Sequence, residues 1–385
     1  MGGFKLTTLL HRRTNRRRSV NLTLPPPQTN DANDGNDEEV MNPTPTVDRS
    51  PHHPKFFWGL KRRRSFPEIG PEILAGTALD TEVSCWQQVV STGSMPGERS
   101  GHSVLAMNGQ VFLFGGCGGS EGNTPCMSDF ICFNLSTLNW SKVQAEGTTP
   151  SPRASFEMCR GCLPDTLIIA GGTGSEGICG DMHEYNARTR RWRQLVARDD
   201  PGSRCRYYGQ TACPWGDRTL VLFGGSSGHE YTDHLYTFDL ETLRFAGPVA
   251  TTGDRPSARY KHQAVVVGDE LYVLGGGAYK PTAPQLDIFR LDLTRWHWER
   301  VAAAGPAPPA RVAHTCAYDP RSRALYLWGG FDAELERLND FYRLDLDPRP
   351  ADPPAEGGLP WAQGLLPGAR APRWYRLEGA AGAGR

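Results

Sequence analysis

The sequence lacks an excess of charge of either sign, and it lacks any long apolar run. Its 42 lysines and arginines balance 42 aspartates and glutamates, whereas a dedicated DNA-binding domain usually carries a basic excess. We therefore expect no nucleic-acid partner. No apolar stretch approaches the ~18–20 residues of a membrane helix, so we expect no membrane partner. No secretory segment follows Met1, and we expect the ten irregularly spaced cysteines to be reduced and mostly buried.

Signatures of catalysis and of metal binding are also missing. There is no Walker loop, and Gly171-Gly-Thr-Gly174 follows a predicted strand without opening a helix, so it is not a dinucleotide motif. Cys159 and Cys162 form a lone CxxC pair, while a structural zinc site needs two further ligands. Cys117 and Cys126 flank a loop but have no partner pattern. We therefore expect no metal, no cofactor, no catalytic residue and no enzymatic activity.

Residues 1–84 have the composition of a tail. Six basic residues and no acid occur in residues 1–30, five acids occur in residues 31–39, and Lys61-Arg-Arg-Arg64 follows a proline-rich stretch. Low hydrophobicity with blocks of charge predicts disorder. Three alternatives stay open: a nuclear-localisation signal, a transit peptide, and kinase sites at the two Arg-Arg-Ser triplets. We expect the protein in the cytoplasm, the nucleus or both.

Residues 85–385 contain a repeat. Glycine pairs recur at intervals of 51 to 56 residues, and a leading arginine recurs at intervals of 52 to 54. A period near 50 is typical of β-propellers. The glycine pairs are Gly115-Gly116, Gly171-Gly172, Gly224-Gly225, Gly275-Gly276 and Gly329-Gly330, and the arginines are Arg99, Arg153, Arg206, Arg259 and Arg311. The units lie near residues 99–152, 153–205, 206–258, 259–310 and 311–384.

Each unit predicts a four-stranded blade and needs no helix. Four apolar residues precede each glycine pair, which indicates a strand covered on both faces, and a hairpin turn joins it to a strand that starts at the arginine. The glycines supply backbone angles that a side chain would resist. An aromatic residue seven positions into the last hairpin marks the outer strand, where we expect it to contact the next blade. These steps are Phe133 to Trp140, Tyr185 to Trp192, Phe238 to Phe245 and Leu291 to Trp298.

This repeat resembles the kelch repeat family. The motifs Arg99-Ser-Gly-His102, Arg259-Tyr-Lys-His262 and Arg311-Val-Ala-His314 carry the resemblance, with the glycine pairs and the aromatic step, over about three quarters of the chain. Phe156 and Gly209 stand where other units have histidine. The resemblance implies an all-β kelch propeller in which the repeating histidines serve the fold. Some kelch-like propellers are copper oxidases or lyases, but their ligand sets are not found here, so an enzyme is a remote alternative.

The propeller has five recognisable blades and an incomplete sixth. Trp86 precedes Arg99 by the same interval that separates Trp140 from Arg153, so Cys85 to Val90 predicts the outer strand of a further blade. After the fifth unit comes a proline-rich insertion, residues 347–373, and then an outer strand from Trp374 to Leu377. Because kelch propellers commonly have six blades, we expect a fragment or a truncated copy. The alternative is a five-bladed ring in which the Trp86 strand replaces an outer strand.

The loops after the glycine pairs predict a protein-binding surface. Rigid strands that hold variable loops at a channel mouth are a binding architecture, and tyrosine and arginine are favoured at binding hot spots. The candidate partner-binding residues are Arg206, Tyr207, Tyr208, Arg259, Tyr260, Lys261, Tyr279 and Lys280. The candidate structural residues are Trp140, Trp192, Trp298, Gly115, Gly116, Gly224, Gly225, Gly275 and Gly276.

Units three and four resemble a narrower group of kelch proteins. The residues are Arg206-Tyr-Tyr-Gly-Gln210, Gly224-Gly-Ser-Ser-Gly228 with Tyr231, and Leu274-Gly-Gly-Gly277. That group is similar to substrate receptors of cullin-RING ubiquitin ligases, which hold the C-terminal tails of proteins. The resemblance thus implies a non-enzymatic adaptor, although the ligase-adaptor helix of such receptors would lie beyond Arg385. The alternative is a kelch scaffold in signalling or cytoskeletal assembly.

Overall fold

The computed structural model describes residues 89–118, 125–281, 283–347 and 371–377. Every regular element in these ranges is a β-strand, and the strands form five blades. The predicted all-β propeller is therefore confirmed. None of the described residues belongs to a helix long and apolar enough to cross a membrane. The predicted tail, residues 1–84, lies outside the described residues, as do residues 348–370 of the predicted insertion.

Blades 1 and 2 each contain four main strands and short flanking strands. Blade 1 comprises β1 (Thr92–Gly93), β2 (Arg99–Ser100), β3 (Ser103–Met107), β4 (Gln110–Phe114), β5 (Cys117–Gly118), β6 (Phe130–Asn134) and β7 (Asn139–Lys142). Blade 2 comprises β8 (Glu146–Gly147), β9 (Glu157–Arg160), β10 (Thr166–Ala170), β11 (Thr173–Gly174), β12 (Gly177–Ile178), β13 (Met182–Asn186) and β14 (Arg191–Val196).

Blades 3 to 5 repeat the four main strands. Blade 3 comprises β15 (Thr211–Trp215), β16 (Thr219–Phe223), β17 (Leu235–Asp239) and β18 (Arg244–Ala246). Blade 4 comprises β19 (Thr252–Gly253), β20 (Gln263–Val267), β21 (Glu270–Leu274), β22 (Ile288–Asp292) and β23 (His297–Arg300). Blade 5 comprises β24 (Thr315–Asp319), β25 (Ala324–Trp328), β26 (Phe341–Asp345) and β27 (Arg373–Arg376).

The seven-residue aromatic step sets the register of the outer hairpin in blades 1 to 4. Phe133 lies opposite Trp140, Tyr185 opposite Trp192, Phe238 opposite Phe245 and Leu291 opposite Trp298. Leu344 lies opposite Trp374 in the same way, which confirms the predicted outer strand at residues 374–377. Of the predicted strand from Cys85 to Val90, residues 85–88 are outside the described ranges, and Val89 and Val90 are exposed and belong to no strand.

A chain of backbone hydrogen bonds links the blades around the channel. In each blade the innermost strand begins four residues after the leading position, not at the arginine as predicted, because the intervening residues turn through a left-handed conformation. The N–H of Ser155 donates to Gly101 O (2.8 Å), and that of Gly209 to Ser155 O (2.8 Å). Lys261 N–H then donates to Gly209 O (2.9 Å), and Ala313 N–H to Lys261 O (2.9 Å). All five residues have φ between 51° and 69°.

The glycine pairs leave no room for side chains. Gly276 has φ +81°, and a Cβ there would lie 2.6 Å from His262 Cβ. A Cβ on its neighbour Gly275 would lie 2.9 Å from a ring carbon of His314 in the next blade. The pair is thus held between the strand starts of two blades, and the buried histidines serve the fold at this position.

Four apolar clusters join successive blades. Trp192 of blade 2 contacts Phe114 and Phe130 of blade 1, with ring centroids 6.0 and 5.2 Å away. Trp298 of blade 4 likewise contacts Phe223 of blade 3 at 5.3 Å. The outer aromatic therefore contacts the preceding blade, which corrects the predicted contact with the next one, because its side chain points to the face that the previous sheet covers.

Blades 1 and 5 are the ends of this array within the described residues. Val104, Val111 and Leu113 of blade 1 form a small cluster of their own, and no apolar cluster of described residues contains side chains of both blades. The hydrogen-bonded chain around the channel likewise runs from Gly101 to Ala313 without a described bond that closes it. The five blades are confirmed, while the place of a sixth blade stays a prediction.

Candidate functional site

An arginine–aspartate pair anchors the leading position of four blades, and its arginine is buried in blades 2, 4 and 5. The pairs are Arg99–Asp129, Arg153–Asp181, Arg259–Asp287 and Arg311–Asp340. Each arginine also donates to the carbonyl of the first glycine of its own pair, as Arg259 does to Gly275 O at 2.7 Å. Arg259 is 1% exposed. Its guanidinium donates to Gly275 and Asp287 inside blade 4, and its contact with a ligand stays a prediction.

Blade 3 departs from this pattern. In the first four pairs the second glycine donates its N–H to the leading residue of the next blade, and Gly172 donates to Tyr207 O at 3.0 Å. Tyr207, not Arg206, therefore occupies the leading position, and His234 occupies the place of the aspartate, since its carbonyl accepts from Gly224 N–H. Gln210, not Gly209, stands where blades 1, 4 and 5 have histidine. Arg206 is exposed and donates to Arg198 O at 3.0 Å.

Blade 3 is also irregular at its outer edge. In blades 1, 2 and 4 a short segment pairs in parallel with the outer strand, and in blade 5 Ala304 bridges to Arg373 in the same way. A Cβ on the glycine of this segment would lie 2.1 Å from the tryptophan carbonyl in blade 4. Blade 3, all of which is described, has no such segment, and the half-buried Phe245 replaces the tryptophan.

A group of four tyrosines and one lysine lies at the channel mouth between blades 3 and 4. We call it the tyrosine face: Tyr208, Tyr231, Tyr260, Lys261 and Tyr279. Tyr260 is 4% exposed, and its ring centroid lies 5.8 Å from that of Tyr208 and 5.0 Å from that of Tyr231. Lys261 Nζ lies 5.2 Å from the Tyr260 centroid. Tyr279 is 55% exposed at the rim.

Backbone geometry explains why these residues meet. Tyr208 and Tyr260 directly follow the leading position, and each bridges to the loop after its glycine pair, at Ser226 and Gly277. Ser226 bridges in turn to Tyr231. Tyr231 was not among the predicted site residues, although its place five positions after Ser226 is a signal, since Ile178 closes the blade 2 loop at the same distance from Thr173.

Burial sets the electrostatics of the tyrosine face. It lowers the pKa of the Lys261 ammonium and raises the pKa values of the Tyr260 and Tyr231 hydroxyls. Neighbouring tyrosines raise the pKa of Tyr260 further. The tyrosines therefore stay neutral hydrogen-bonding groups, and a ligand anion beside Lys261 would favour its charged form.

The structure brings some of the predicted partner-binding residues together and places others apart. Tyr208, Tyr260, Lys261 and Tyr279 come together, and the exposed Lys280 follows Tyr279 at the rim. Tyr207 is not part of this group: its Cβ lies against Gly225, and burial, with Tyr236 nearby, raises the pKa of its hydroxyl. Among the described residues no group of three or more histidine, cysteine or acidic side chains is placed to hold a metal.

The comparison with protein families agrees with this geometry. The KLHDC2/KLHL20/DRC7 Kelch-repeats domain matches residues 75–207, 117–266, 165–302 and 261–363, which together cover most of the chain. The chain belongs to the kelch repeat family. The buried arginines, the histidines and the glycine pairs are thus the frame of a kelch propeller, and the irregular blade 3 is a local departure within it.

Individual kelch proteins are similar over the same region. The chain is 29% identical over 268 residues to Kelch domain-containing protein 10 of Rattus norvegicus, covering 65% of the chain and 63% of that protein. The human protein of that name has the same identity, with 59% of its length covered. Kelch domain-containing protein 2 of Bos taurus is 26% identical over 279 residues, covering 64% of the chain and 66% of the relative. The chain thus spans about three fifths of the length of the first two relatives.

Proposed function

We propose that this propeller is a non-enzymatic adaptor whose tyrosine face binds the carboxyl-terminal tail of a partner protein. The observation that supports the proposal is the position of Lys261 beside the Tyr260 ring, among four tyrosines at the channel mouth. Tyrosine offers a large rigid ring and a hydrogen-bonding hydroxyl, which is why it is frequent at binding hot spots.

A terminal carboxylate suits the chemistry of this face. Hydrogen bonds to a charged group contribute about 1.5–3 kcal/mol each, and they are strongest where water is excluded. Burial lowers the pKa of the Lys261 ammonium, because it removes hydration from the charged form. A tail carboxylate would replace that hydration, while the preceding residues would lie against Tyr208, Tyr231 and Tyr279.

The ligand class can be tested with matched peptides. Random peptides with a free carboxyl terminus are screened against the purified chain, and each hit is remade as its C-terminal amide. We expect amidation to weaken binding at least about tenfold, since it removes a charge-assisted contact. Lys261→Met should weaken binding of the free-acid peptide by a similar factor and leave binding of the amide unchanged. Lys142→Met is the control, because Lys142 is exposed on the outer strand of blade 1.

Equal affinity for acid and amide would overturn the proposal of tail recognition. Loss of binding in Lys142→Met would show that general charge, not the tyrosine face, attracts the peptides. Circular dichroism of each variant separates a binding defect from misfolding.

We further propose that the adaptor serves a cullin-RING ubiquitin ligase as a substrate receptor. The support is the resemblance of blades 3 and 4 to that group of kelch proteins, together with the similarity to Kelch domain-containing protein 10. A fluorescent reporter that carries a selected tail should lose half-life when the chain, fused at its carboxyl terminus to a ligase-adaptor helix, is co-expressed, and Lys261→Met should restore the half-life. If the tail binds but the half-life does not change, a scaffold function replaces the ligase proposal.

A further inference from the structure

The loops after the glycine pairs share one closing contact. In each blade the first residue of the loop bridges to a residue near the loop's end, in antiparallel orientation. The closing pairs are Cys117–Cys126, Thr173–Ile178, Ser226–Tyr231, Gly277–Pro281 and Phe331–Arg337. Blade 1 has the longest loop, and a pair of cysteines closes it.

The geometry of this closing pair suits a disulfide. Met127 N–H donates to Gly116 O at 2.8 Å, so the hydrogen bond is made by the flanking residues, and Cys117 faces Cys126 as a non-hydrogen-bonded pair. The Cα atoms of such pairs are about 4.5 Å apart, and their side chains are at their closest. Disulfides are accommodated at Cα separations of about 4.4–6.8 Å. A bond between the two sulfurs thus needs rotation of side chains without a change of the strands.

The two thiols are accessible and polarised. Both are half-buried, whereas Cys132, Cys179 and Cys205 are buried. The hydrogen bond between the two thiols lowers the pKa of Cys117 to about 7 and raises that of Cys126. Cys162 is equally exposed, but burial raises the pKa of its thiol to about 11. Thiolate is the nucleophile in thiol chemistry, so Cys117 is placed to react first.

We propose that Cys117 and Cys126 are a redox modification site that forms a reversible disulfide in the presence of a peroxide. The Cys117 thiolate attacks one peroxide oxygen, and hydroxide leaves and takes up a proton, which yields a sulfenic acid and water. The Cys126 sulfur then attacks the sulfenic sulfur, and its proton departs with the hydroxyl as a second water. Two thiols are oxidised and one hydrogen peroxide is reduced to two waters. A dithiol reductant returns two electrons and two protons.

The site adjoins the channel mouth. The Cys126 sulfur lies 3.8 Å from the carbonyl oxygen of Thr173, which belongs to the equivalent loop of blade 2. Ser226 and Gly277 of the same loop series contact Tyr208 and Tyr260. The disulfide would therefore join residues 117 and 126 into a covalent ring at the channel end that carries the tyrosine face.

The disulfide is tested by differential alkylation and mass spectrometry of the full chain. We expect equimolar hydrogen peroxide to remove two alkylatable thiols, with peptide mapping to Cys117 and Cys126, and a dithiol reductant to restore them. Cys126→Ser should leave a sulfenic acid at Cys117 that dimedone traps. Cys117→Ser should abolish the reaction, and Cys162→Ser, the matched half-buried control, should leave it intact. A disulfide between other cysteines, an intermolecular product or no loss of thiols would each overturn the proposal.

The reactivity of single thiols gives a second readout that needs no disulfide. At pH 7 we expect Cys117 to alkylate about 50- to 100-fold faster than Cys162, because its larger thiolate fraction outweighs its lower nucleophilicity. Cys126→Ser should slow the alkylation of Cys117, because it removes the thiol whose hydrogen bond lowers the pKa of Cys117. Equal rates for Cys117 and Cys162 would contradict the polarised pair.

Discussion

The space between neighbouring blades determines which residue type fits at single positions of this propeller. Gly276 lies against the His262 backbone with φ +81°, so both its missing side chain and its backbone conformation are required. The left-handed conformation alone costs a residue with a side chain about 1–2 kcal/mol. The glycine pairs therefore recur because neighbouring blades approach each other closely at these positions.

Replacing Gly276 with alanine should separate these two requirements. We expect Gly276→Ala to lower the free energy of unfolding by more than about 2 kcal/mol, since a clash adds to the backbone strain. Gly109→Ala is the control, because Gly109 has φ +71° but a Cβ added there would meet no atom within 4 Å; it should lose about 1 kcal/mol. Equal losses in urea denaturation would show that the clash relaxes away.

The histidines at the strand starts make stability depend on pH. Burial, with Arg311 nearby, lowers the pKa of His314 from its ordinary 6.5 to about 3. Between these values the unfolded chain binds the proton more readily than the folded one, so stability is full above pH 6.5 and is lost as the pH falls.

His314→Gln should weaken this dependence, because Gln210 already occupies the equivalent position in blade 3. Between pH 7 and 5 the natural chain should lose about 2 kcal/mol more than the variant. Urea denaturation at both pH values measures the difference. An unchanged pH dependence would mean that His314 titrates alike in both states.

At the scale of elements, each outer strand stabilises the blade before it. The indole of Trp298 is 2% exposed and lies in the cluster between blades 3 and 4. Phe245 holds the same position in blade 3, but it is half-buried and has no parallel segment beside it. The outer edge of blade 3 is therefore the weaker of the two.

Alanine substitutions should show this difference. Trp298→Ala should cost about 3–5 kcal/mol, as deletion of a large buried aromatic does, whereas Phe245→Ala should cost about 1–2 kcal/mol. Thermal and urea unfolding of the two variants compare them directly. A loss below about 1 kcal/mol for Trp298→Ala would mean that the indole does not support the blade interface.

The strands and loops also show which features of the fold can be predicted from local sequence. The glycine pairs and the seven-residue aromatic step predicted the outer hairpins of blades 1 to 4, because both signals act within one hairpin. The predicted leading position of blade 3 is one residue too early, because Arg206 directly precedes Tyr207 and has the residue type that leads the other blades. The tyrosine face was predicted only in part, because Tyr231 of blade 3 meets Tyr260 of blade 4 through a contact between their rings. The spacing from Ser226 to Tyr231 is a local signal for the end of the loop, but the contact between Tyr231 and Tyr260 depends on which blades are neighbours in three dimensions.

At the scale of the described propeller, stability is carried by interfaces between neighbours. One cluster joins each successive pair of blades, and the hydrogen-bonded chain adds one link at each step. Repeat arrays of this kind have a stability close to a sum over units and nearest-neighbour interfaces. The end blades, 1 and 5, have one such interface each among the described residues, so their local opening should cost the least free energy.

Trp374→Ala should reveal this order, since Trp374 is 1% exposed and lies in the cluster between blades 4 and 5. We expect hydrogen exchange to rise in β24, β25 and β26, while β4, β10 and β16 keep their protection, because a single interface among the described residues holds blade 5. Trp298→Ala should instead raise exchange on both sides of the interface between blades 3 and 4. If Trp374→Ala deprotects β3 and β4 of blade 1 as strongly as blade 5, the first and last blades are coupled, and the propeller behaves as a closed ring and not as a linear array.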